Sequence, residues 1–367
     1  MTRIGLDVKL PSALRPVKGA VATPPLEILD EVRAAGLDGV LFRTLAELAP
    51  SLDPGFLREL RAHADALGLY LDLGVGKVNP YMIAELPEVR DLGGGSYLAG
   101  MEAMIEAAAA IGCTDLWTAT GNYKAHLPGV HATDRYRGEA PWADQLAATE
   151  RFLRRLAPCL RANGARLVLE THEEITSWEI VRLVESVGPD VLGVTFDSAN
   201  VYVHGEDPLA AARRVAPYTR ATHLRDVALF PCPDGLSRYL VPCGLGVIDW
   251  PALLGALSGV ERLTIEPAGS GQRDMTVHSA LPVWRESHPD LAEAELAEID
   301  RQVAAYAALV EAGAAPGRDA WRDGSPYTRD DFTALSARHL RDVLGLPQPD
   351  GASRLGGFAP GQYSSRS

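Results

Sequence analysis

Four short apolar segments between residues 166 and 269 constrain the fold of this chain more than any other feature. Each ends at or close to a side chain of a metal-binding type, namely Glu170, Asp197, His223 and Glu266. Short apolar segments separated by helical patterns are typical of buried parallel strands. An unpaired carboxylate at the end of a buried strand would be unfavourable. Four such strand ends in series therefore predict a shared cation.

The whole chain repeats this pattern, with eight strand-like segments alternating with eight helical ones up to about residue 312. Helix boundaries are marked by capping residues and glycines. Thr23 is the predicted N-cap of the first helix, and Thr176 with Glu179 forms a predicted capping box for a helix that ends at Gly188. Strict alternation favours a closed barrel over an open doubly wound sheet. The predicted fold class is α/β, a (β/α)8 TIM barrel with a C-terminal helical extension.

The predicted domains are a barrel and a C-terminal extension, and the last helical segment of the alternation is placed in the extension. We assign residues 1–290 to the barrel and residues 291–345 to C-terminal helices, with one amphipathic helix over Arg329–Leu344. Residues 346–367 are rich in Gly, Pro, Ser and Gln, a composition that disfavours a packed core. They are predicted to be a disordered tail or an oligomer arm.

Charge and composition narrow the class of partner. The formal net charge is −13 and the pI is about 5.2, whereas nucleic-acid binding requires a basic surface. No run of roughly 18 apolar residues predicts a membrane span, and no leader sequence is recognisable. The four cysteines form no C-x-x-C motif, which indicates reduced thiols. We therefore expect a cytoplasmic protein that binds neither nucleic acid nor membranes.

The donor set at the four strand ends indicates which ion would bind. Barrel enzymes carry their sites at the C-terminal ends of the strands, so the four side chains are expected to meet there. Three carboxylates and one imidazole suit Mn²⁺, with Mg²⁺, Co²⁺ and Zn²⁺ as alternatives, better than they suit a structural zinc site of thiolates. For each residue taken alone, an ordinary salt bridge or hydrogen bond is the favoured explanation. Their placement on successive strands favours one divalent metal ion.

The residues around these positions resemble the xylose-isomerase-like barrel superfamily over about residues 1–290. Members of that superfamily include sugar isomerases and epimerases, inosose dehydratase and an apurinic endonuclease branch. The order Glu, Asp, His, Glu is fairly specific to the superfamily but not to one reaction. The segments that carry the resemblance are Leu169–His172, Phe196–Asn200, Thr222–Asp226, Gly244–Trp250 and Thr264–Glu266.

The resemblance implies a metal-bound polyol or keto sugar as substrate. In the epimerase-like members, the residues that match Glu170 and Glu266 both bind the metal and face opposite sides of the reacting carbon. One removes a proton and the other returns one. The chemistry agrees, because a cation on a carbonyl and its adjacent hydroxyl stabilises an enediolate. We therefore predict a metal-dependent sugar or polyol isomerase or epimerase, with these two glutamates as catalytic residues.

One departure from the family pattern keeps other functions open. Many isomerases and epimerases of the superfamily carry a histidine where this chain has Asn200, which cannot take a proton at neutral pH. This leaves room for a lyase on the same barrel, a dehydratase or decarboxylase of a keto sugar acid or inosose. Residues 313–367 suggest a third function, the catalytic subunit of a larger sugar- or glycoside-processing assembly. DNA repair is disfavoured by the acidic charge and the lack of the further metal ligands that the endonuclease branch uses.

Five further residues are candidates for substrate binding, and four of them have a simpler alternative. The alternatives are a loop cap for His172, a surface position for His126, core packing for Trp117 and an ion pair with Asp226 for Arg225. An amide such as Asn200 can hydrogen-bond a substrate hydroxyl. The candidates are His172, Asn200, Arg225, Trp117 and His126.

The last predictions concern two loops at the same end of the barrel and the assembly state of the protein. Residues 122–140 are long and polar enough to form a lid. Gly269–Arg273 follows the eighth strand and is either a phosphate-binding loop or a flexible turn. The expected partner is a small-molecule sugar or polyol, in a homo-oligomer or as a subunit of a hetero-assembly.

Overall fold

The computed structural model describes residues 2–10, 23–124, 126–268, 274–322 and 324–349. The predicted loop at residues 269–273 and most of the predicted tail, residues 350–367, lie outside these ranges. The strands are β1 Arg3–Val8, β2 Gly39–Phe42, β3 Tyr70–Gly74, β4 Asp115–Thr118, β5 Arg166–Glu170, β6 Leu192–Asp197, β7 Thr219–His223, β8 Asp226–Cys232, β9 Gly235–Val241, β10 Arg262–Ile265 and β11 Met275–Val277. The helices are α1 Pro25–Ala34, α2 Leu45–Leu48, α3 Pro54–Ala66, α4 Pro87–Leu92, α5 Tyr97–Ala109, α6 Trp142–Ala162, α7 Ser177–Val187, α8 Pro208–Val215, α9 Trp250–Ala256, α10 Pro282–Glu286, α11 Glu293–Glu311 and α12 Arg329–Leu344.

Eight parallel strands form a nearly closed barrel, which confirms the predicted fold class. Their order is β10-β1-β2-β3-β4-β5-β6-β7. An isolated parallel bridge joins Leu224 to Ile265, just beyond the ends of β7 and β10. In the register of β6 and β7, Asp197 lies opposite His223. Two of the predicted metal ligands are therefore neighbours by strand pairing alone.

The local signals in the sequence account for most helix boundaries. The capping box of α7 is present, with Thr176 and Glu179 each satisfying a backbone N–H of the other. The prediction for the first helix was wrong in one respect, because its N-cap is Pro24 and not Thr23. The helix begins at Pro25, whose missing N–H needs no cap and whose ring fixes a helical φ. Thr23 consequently lies outside the helix.

Contact density divides the chain into two compact units. The first comprises Met1–Asp197, Arg214–His223 and Gly259–Thr264, which together include strands β1 to β7. Strand residues here are almost entirely buried, as expected for a sheet covered on both faces. The second unit comprises Ser198–Arg213, Leu224–Ser258 and Ile265–Ser367.

The second unit contains a three-stranded antiparallel sheet that the sequence pattern did not predict. Its strand order is β11-β9-β8. Strands β8 and β9 form a hairpin, in which Asp226 pairs with Val241 at the open end and Cys232 pairs with Gly235 at the turn. Aromatic side chains of the hairpin and of the C-terminal segment pack together. Their members include Phe230, Tyr239, Tyr306, Trp321 and Tyr327. The predicted amphipathic helix over Arg329–Leu344 is present with those bounds as α12.

Asp226 organises the connection that follows this hairpin. Its buried carboxylate accepts hydrogen bonds from the backbone N–H groups of Val227, Gly244, Val247 and Ile248 at 2.9 to 3.1 Å, and from Trp250 Nε1 at 2.8 Å. Burial raises the pKa of Asp226, and these donors oppose that effect. A cluster of donors around one carboxylate depends on that carboxylate, because removing it leaves several buried N–H groups without an acceptor.

We expect Asp226→Ala to lower the free energy of unfolding by about 3 kcal/mol or more, the loss typical of a broken buried hydrogen-bond network. Urea denaturation monitored by circular dichroism measures this. Asp249→Ala is the matched control, since Asp249 is an exposed N-cap that accepts one hydrogen bond from the Ala252 N–H, and such a cap contributes about 1 kcal/mol. Equal losses in the two variants would contradict the proposed role of Asp226.

No helix in the described ranges combines the length and apolar character needed to cross a bilayer.

Candidate functional site

Glu170, Asp197, His223 and Glu266 come together at the carboxyl ends of barrel strands. Each offers a ligand atom, and these atoms all lie within 4.8 Å of one another. All four side chains are buried. The first three end β5, β6 and β7, and Glu266 directly follows β10. We refer to these four residues as the carboxylate–histidine cluster.

Two side chains hold the carboxylate of Glu170. The indole Nε1 of Trp117 donates a hydrogen bond to Glu170 Oε2 at 3.0 Å. His223 Nδ1 lies 3.0 Å from Glu170 Oε1. Because each oxygen has a neighbour on a different strand, the orientation of this carboxylate is fixed before any ligand binds. Trp117 was predicted as a substrate-binding candidate, and the structure places it in direct contact with the cluster.

Thr171 links the strand ends that carry Glu170 and Asp197. Its hydroxyl accepts a hydrogen bond from the backbone N–H of Asp197 at 2.7 Å and donates to the Asp197 carbonyl at 3.2 Å. Both groups are buried. The hydroxyl thereby holds the backbone of Asp197 in place beyond the regular pairing of β5 and β6. Sequence reasoning did not single out Thr171, because a threonine after a strand is common in any parallel sheet.

Glu266 has a different set of neighbours. Its backbone N–H donates to the Leu224 carbonyl at 3.4 Å, and its Oε2 lies 3.1 Å from Arg225 Nη2. The same Nη2 donates to Asn200 Oδ1 at 3.0 Å. Arg225 therefore contacts Glu266 and Asn200, two of the predicted site residues. The structure records this ion pair with Glu266, whereas the sequence had left an ion pair with Asp226 open.

The cluster fits a divalent cation. Three carboxylates buried together repel one another and lose hydration, which is unfavourable unless positive charge compensates them. Arg225 supplies one such charge at Glu266. The donors are oxygen and imidazole nitrogen without a thiolate, the set that Mg²⁺, Mn²⁺ and related ions accept. The four side chains could therefore hold one divalent ion, whose identity as Mn²⁺ stays a prediction.

His172 belongs to a second group of ionisable side chains, together with Glu173 and Glu174. Its Nδ1 lies 2.6 Å from Glu174 Oε2 and 2.8 Å from Glu173 Oε2. Burial lowers the pKa of His172, but the two carboxylates outweigh burial and raise it well above its usual value. An imidazolium at this position would compensate the neighbouring acids, and a role of His172 in substrate binding stays a prediction.

The predicted lid, residues 122–140, is anchored at several points. Buried Asp134 forms ion pairs with Lys124 at 2.5 Å and with Arg137 at 3.1 Å. Arg135 pairs with Glu179 of α7 at 2.9 Å. Residues 126–129, which include His126, form the longest exposed stretch of the loop among its described residues. The structure does not bring His126 into the carboxylate–histidine cluster, and closure of the loop over a substrate stays a prediction.

Lys77 is a buried residue near the site that the sequence did not indicate. Its Nζ lies 4.9 Å from the centre of the Trp117 ring. Burial lowers the pKa of Lys77, and the carboxylates of Glu174 and Glu170 act in the opposite direction. The signal available in the sequence was that Lys77 is the one charged residue in the otherwise apolar segment 74–78. A lysine is seldom buried without a partner.

Comparison with known proteins identifies similar sequences and folds. The uncharacterised protein YihM of Escherichia coli (strain K12) is 28% identical over 131 residues. That match covers 36% of this chain and 40% of YihM, so it spans less than half the length of that relative.

Two solved structures illustrate the similarity of fold. A xylose isomerase-like TIM barrel protein from Mycobacterium smegmatis in complex with magnesium has a TM-score of 0.53 and 18% identity, with 83% of this chain and 98% of that chain covered. D-psicose 3-epimerase in the presence of D-fructose has a TM-score of 0.52 and 18% identity, with coverages of 84% and 98%. At this level of identity the similarity concerns the fold alone. A model of the xylose isomerase-like TIM barrel family matches residues 29–296, more than half of the sequence, and the chain belongs to this family.

Proposed function

We propose that this protein is a divalent-metal-dependent sugar or polyol isomerase or epimerase. The observation that carries the proposal is the presence of two glutamates, Glu170 and Glu266, in one buried cluster with Asp197 and His223. A pair of carboxylates at one site allows one to remove a proton and the other to return it. The similarity of fold to a sugar epimerase is consistent with this chemistry.

The chain's own residues prepare the two glutamates for proton transfer. A divalent cation held by the cluster would supply Lewis-acid polarisation of a substrate carbonyl, which makes the adjacent C–H bond more acidic. Trp117 holds one oxygen of Glu170, so that the carboxylate is positioned as a base. Arg225 stabilises the negative charge of Glu266, which favours the ionised carboxylate that can accept a proton.

A metal-dependent lyase is the second candidate. The observation that favours it is Asn200, whose side chain accepts a hydrogen bond from Arg225 and carries no titrating proton. A dehydratase of a keto sugar acid or inosose would begin with the same proton abstraction and then lose water. A decarboxylase would reach a similar enolate by losing CO₂ and would then accept a proton. The site residues alone do not separate the two reactions, whereas their products do.

A substrate screen with product analysis tests the proposal. Protein stripped with a chelator and reloaded with Mn²⁺ would be incubated with keto sugars, inositol derivatives and sugar acids. We expect conversion of at least one compound to an isomer of equal mass, and no conversion by the metal-free protein. Loss of water or CO₂ would favour the lyase. Conversion that is independent of added metal would contradict both.

A further inference from the structure

We propose that Arg225 and Arg238 form a carboxylate-binding subsite beside Glu266, so that the substrates are sugar acids rather than neutral sugars. This inference rests on the proposed function and adds a substrate class to it. It is carried by the convergence of two buried guanidinium groups, from separate segments of the second unit, at one amide oxygen next to a glutamate of the cluster.

Arg238 reaches this position from the middle of β9. Its Nη1 donates to the Ala199 carbonyl at 3.2 Å and lies 3.5 Å from Asn200 Oδ1. The side chain is only 2% exposed, although a charged arginine is seldom buried so fully in a hairpin. The alternation of the strand turns the neighbouring Tyr239 towards the aromatic cluster of the second unit. Arg238 therefore projects from the face of β9 that is directed at Asn200.

Arg225 approaches the same amide from the segment that follows β7. Its Nη2 lies 3.0 Å from Asn200 Oδ1 and 3.1 Å from Glu266 Oε2, and the residue is 6% exposed. Two guanidinium groups are thus within hydrogen-bond reach of one uncharged oxygen. A substrate carboxylate at this point would offer them two charged acceptors. Arginine is the side chain best matched to that planar, two-oxygen geometry.

A carboxylate suits this position better than a phosphate. The two arginines and Glu266 together carry one net positive charge, which a single negative charge neutralises. A carboxylate carries one charge, whereas a phosphate monoester carries nearly two at neutral pH. A singly charged group also leaves Arg225 able to keep its contact with Glu266. The site thus favours sugar acids over sugar phosphates.

A purely structural role for Arg238 is the competing explanation. The hairpin has packing of its own, since Tyr239 lies 5.0 Å from Trp321 between ring centres and Phe230 packs on Tyr306 at 5.3 Å. Another arginine, Arg318, also supports the hairpin, through hydrogen bonds to Ser237 Oγ at 3.0 Å and to the Pro231 carbonyl at 3.3 Å. Arg318 contacts the hairpin without reaching Asn200 and is the matched control.

Isothermal titration of the full-length, Mn²⁺-loaded protein compares acids with the corresponding neutral alditols. The probes are D-gluconate, D-galactonate and D-mannonate against D-glucitol, galactitol and D-mannitol. Each pair differs chiefly by a carboxylate in place of a terminal hydroxymethyl group. We expect at least one acid to bind about tenfold more tightly than its alditol, because a hydrogen bond to a charged group contributes on the order of 1.5 kcal/mol or more.

Variants then assign the preference to Arg238. Arg238→Met should remove the preference for the acid over the alditol. The affinity for the acid should fall by about 10- to 100-fold, and the affinity for the alditol should not change. Arg238→Lys should keep part of the preference for the acid, and Arg318→Met should leave that preference unchanged. Equal effects of Arg238→Met and Arg318→Met would indicate a structural role only. Should Arg238→Met fail to fold, the ratio of acid to alditol affinity in the wild type still decides the substrate class.

Three outcomes would overturn the inference: no measurable binding of any acid, alditols binding as tightly as acids, or tighter binding of D-glucitol 6-phosphate than of D-gluconate. Failure of the inference is distinguishable from failure of the proposed function. Metal-dependent isomerisation of a neutral sugar would contradict the inferred carboxylate-binding subsite and support the proposed function. A clear preference for acids without metal-dependent conversion of any compound would support the subsite and contradict the proposed function.

Discussion

Replacement of Asp197 or His223 by alanine is expected to abolish tight binding of the divalent ion while the protein still folds. Both side chains belong to the carboxylate–histidine cluster and lie opposite each other in the pairing of β6 and β7. Changing a residue that only hydrogen-bonds to a metal ligand lowers metal affinity by about 10- to 100-fold. Loss of a direct ligand should therefore lower metal affinity by at least about 100-fold. Metal analysis after dialysis against Mn²⁺ measures the stoichiometry.

Thermal unfolding provides a second measure of the same loss. An ion that binds only the folded state stabilises it by about 2.7 kcal/mol at a concentration 100 times its Kd. Mn²⁺ should therefore raise the Tm of the wild type but not that of Asp197→Ala or His223→Ala. Asp134→Asn is the control, because Asp134 is equally buried but lies outside the cluster, in ion pairs with Lys124 and Arg137. Unchanged metal content in both alanine variants would rule out the metal site.

Glutamine at position 170 or 266 is expected to lower the rate by about 100-fold or more while substantial metal binding remains. Glutamine keeps an oxygen that can act as a ligand but cannot accept the substrate proton. Because Glu170 and Glu266 have separate neighbours, Trp117 and Arg225, each substitution tests one carboxylate alone. Steady-state kinetics on a compound identified by the substrate screen, together with metal analysis, gives both readouts.

Trp117→Phe is the matched comparison for the Glu170 variant. It keeps an aromatic ring at this position but removes the indole N–H that donates to Glu170 Oε2. A single hydrogen bond contributes about 1 kcal/mol, so the rate should fall by roughly five- to tenfold, much less than for Glu170→Gln. Wild-type rates in either glutamine variant would show that the corresponding glutamate is not an acid–base group.

The barrel could be predicted because its signals are local. The apolar pattern of a buried strand and the capping residues of a helix lie within a few positions of the element they define. Strand β5 and helix α12 accordingly have the bounds that the sequence indicated. The four residues of the cluster could be predicted for the same reason, since each lies at the end of a strand and parallel strands end on the same side of a barrel.

Contacts between distant segments could not be predicted in this way. The hydrogen bond from Trp117 to Glu170 joins neighbouring strands that are 53 residues apart in sequence. Arg238 reaches Asn200 from a hairpin that the sequence pattern did not predict. A pattern of hydrophobicity indicates that a residue is buried but not which partner it meets. The oligomeric state stays a prediction for a related reason, because no local pattern specifies a partner surface.

Solvent deuterium incorporation tests the central claim, proton abstraction by Glu170 and Glu266, most directly. The Mn²⁺-loaded wild type would convert its substrate in D₂O, and NMR and mass spectrometry would locate any label. We predict deuterium at the reacting carbon of the product or of recovered substrate, and none with Glu170→Gln over the same time. Conversion over many turnovers without any label would contradict open exchange of the abstracted proton and favour a hydride shift or a shielded proton return.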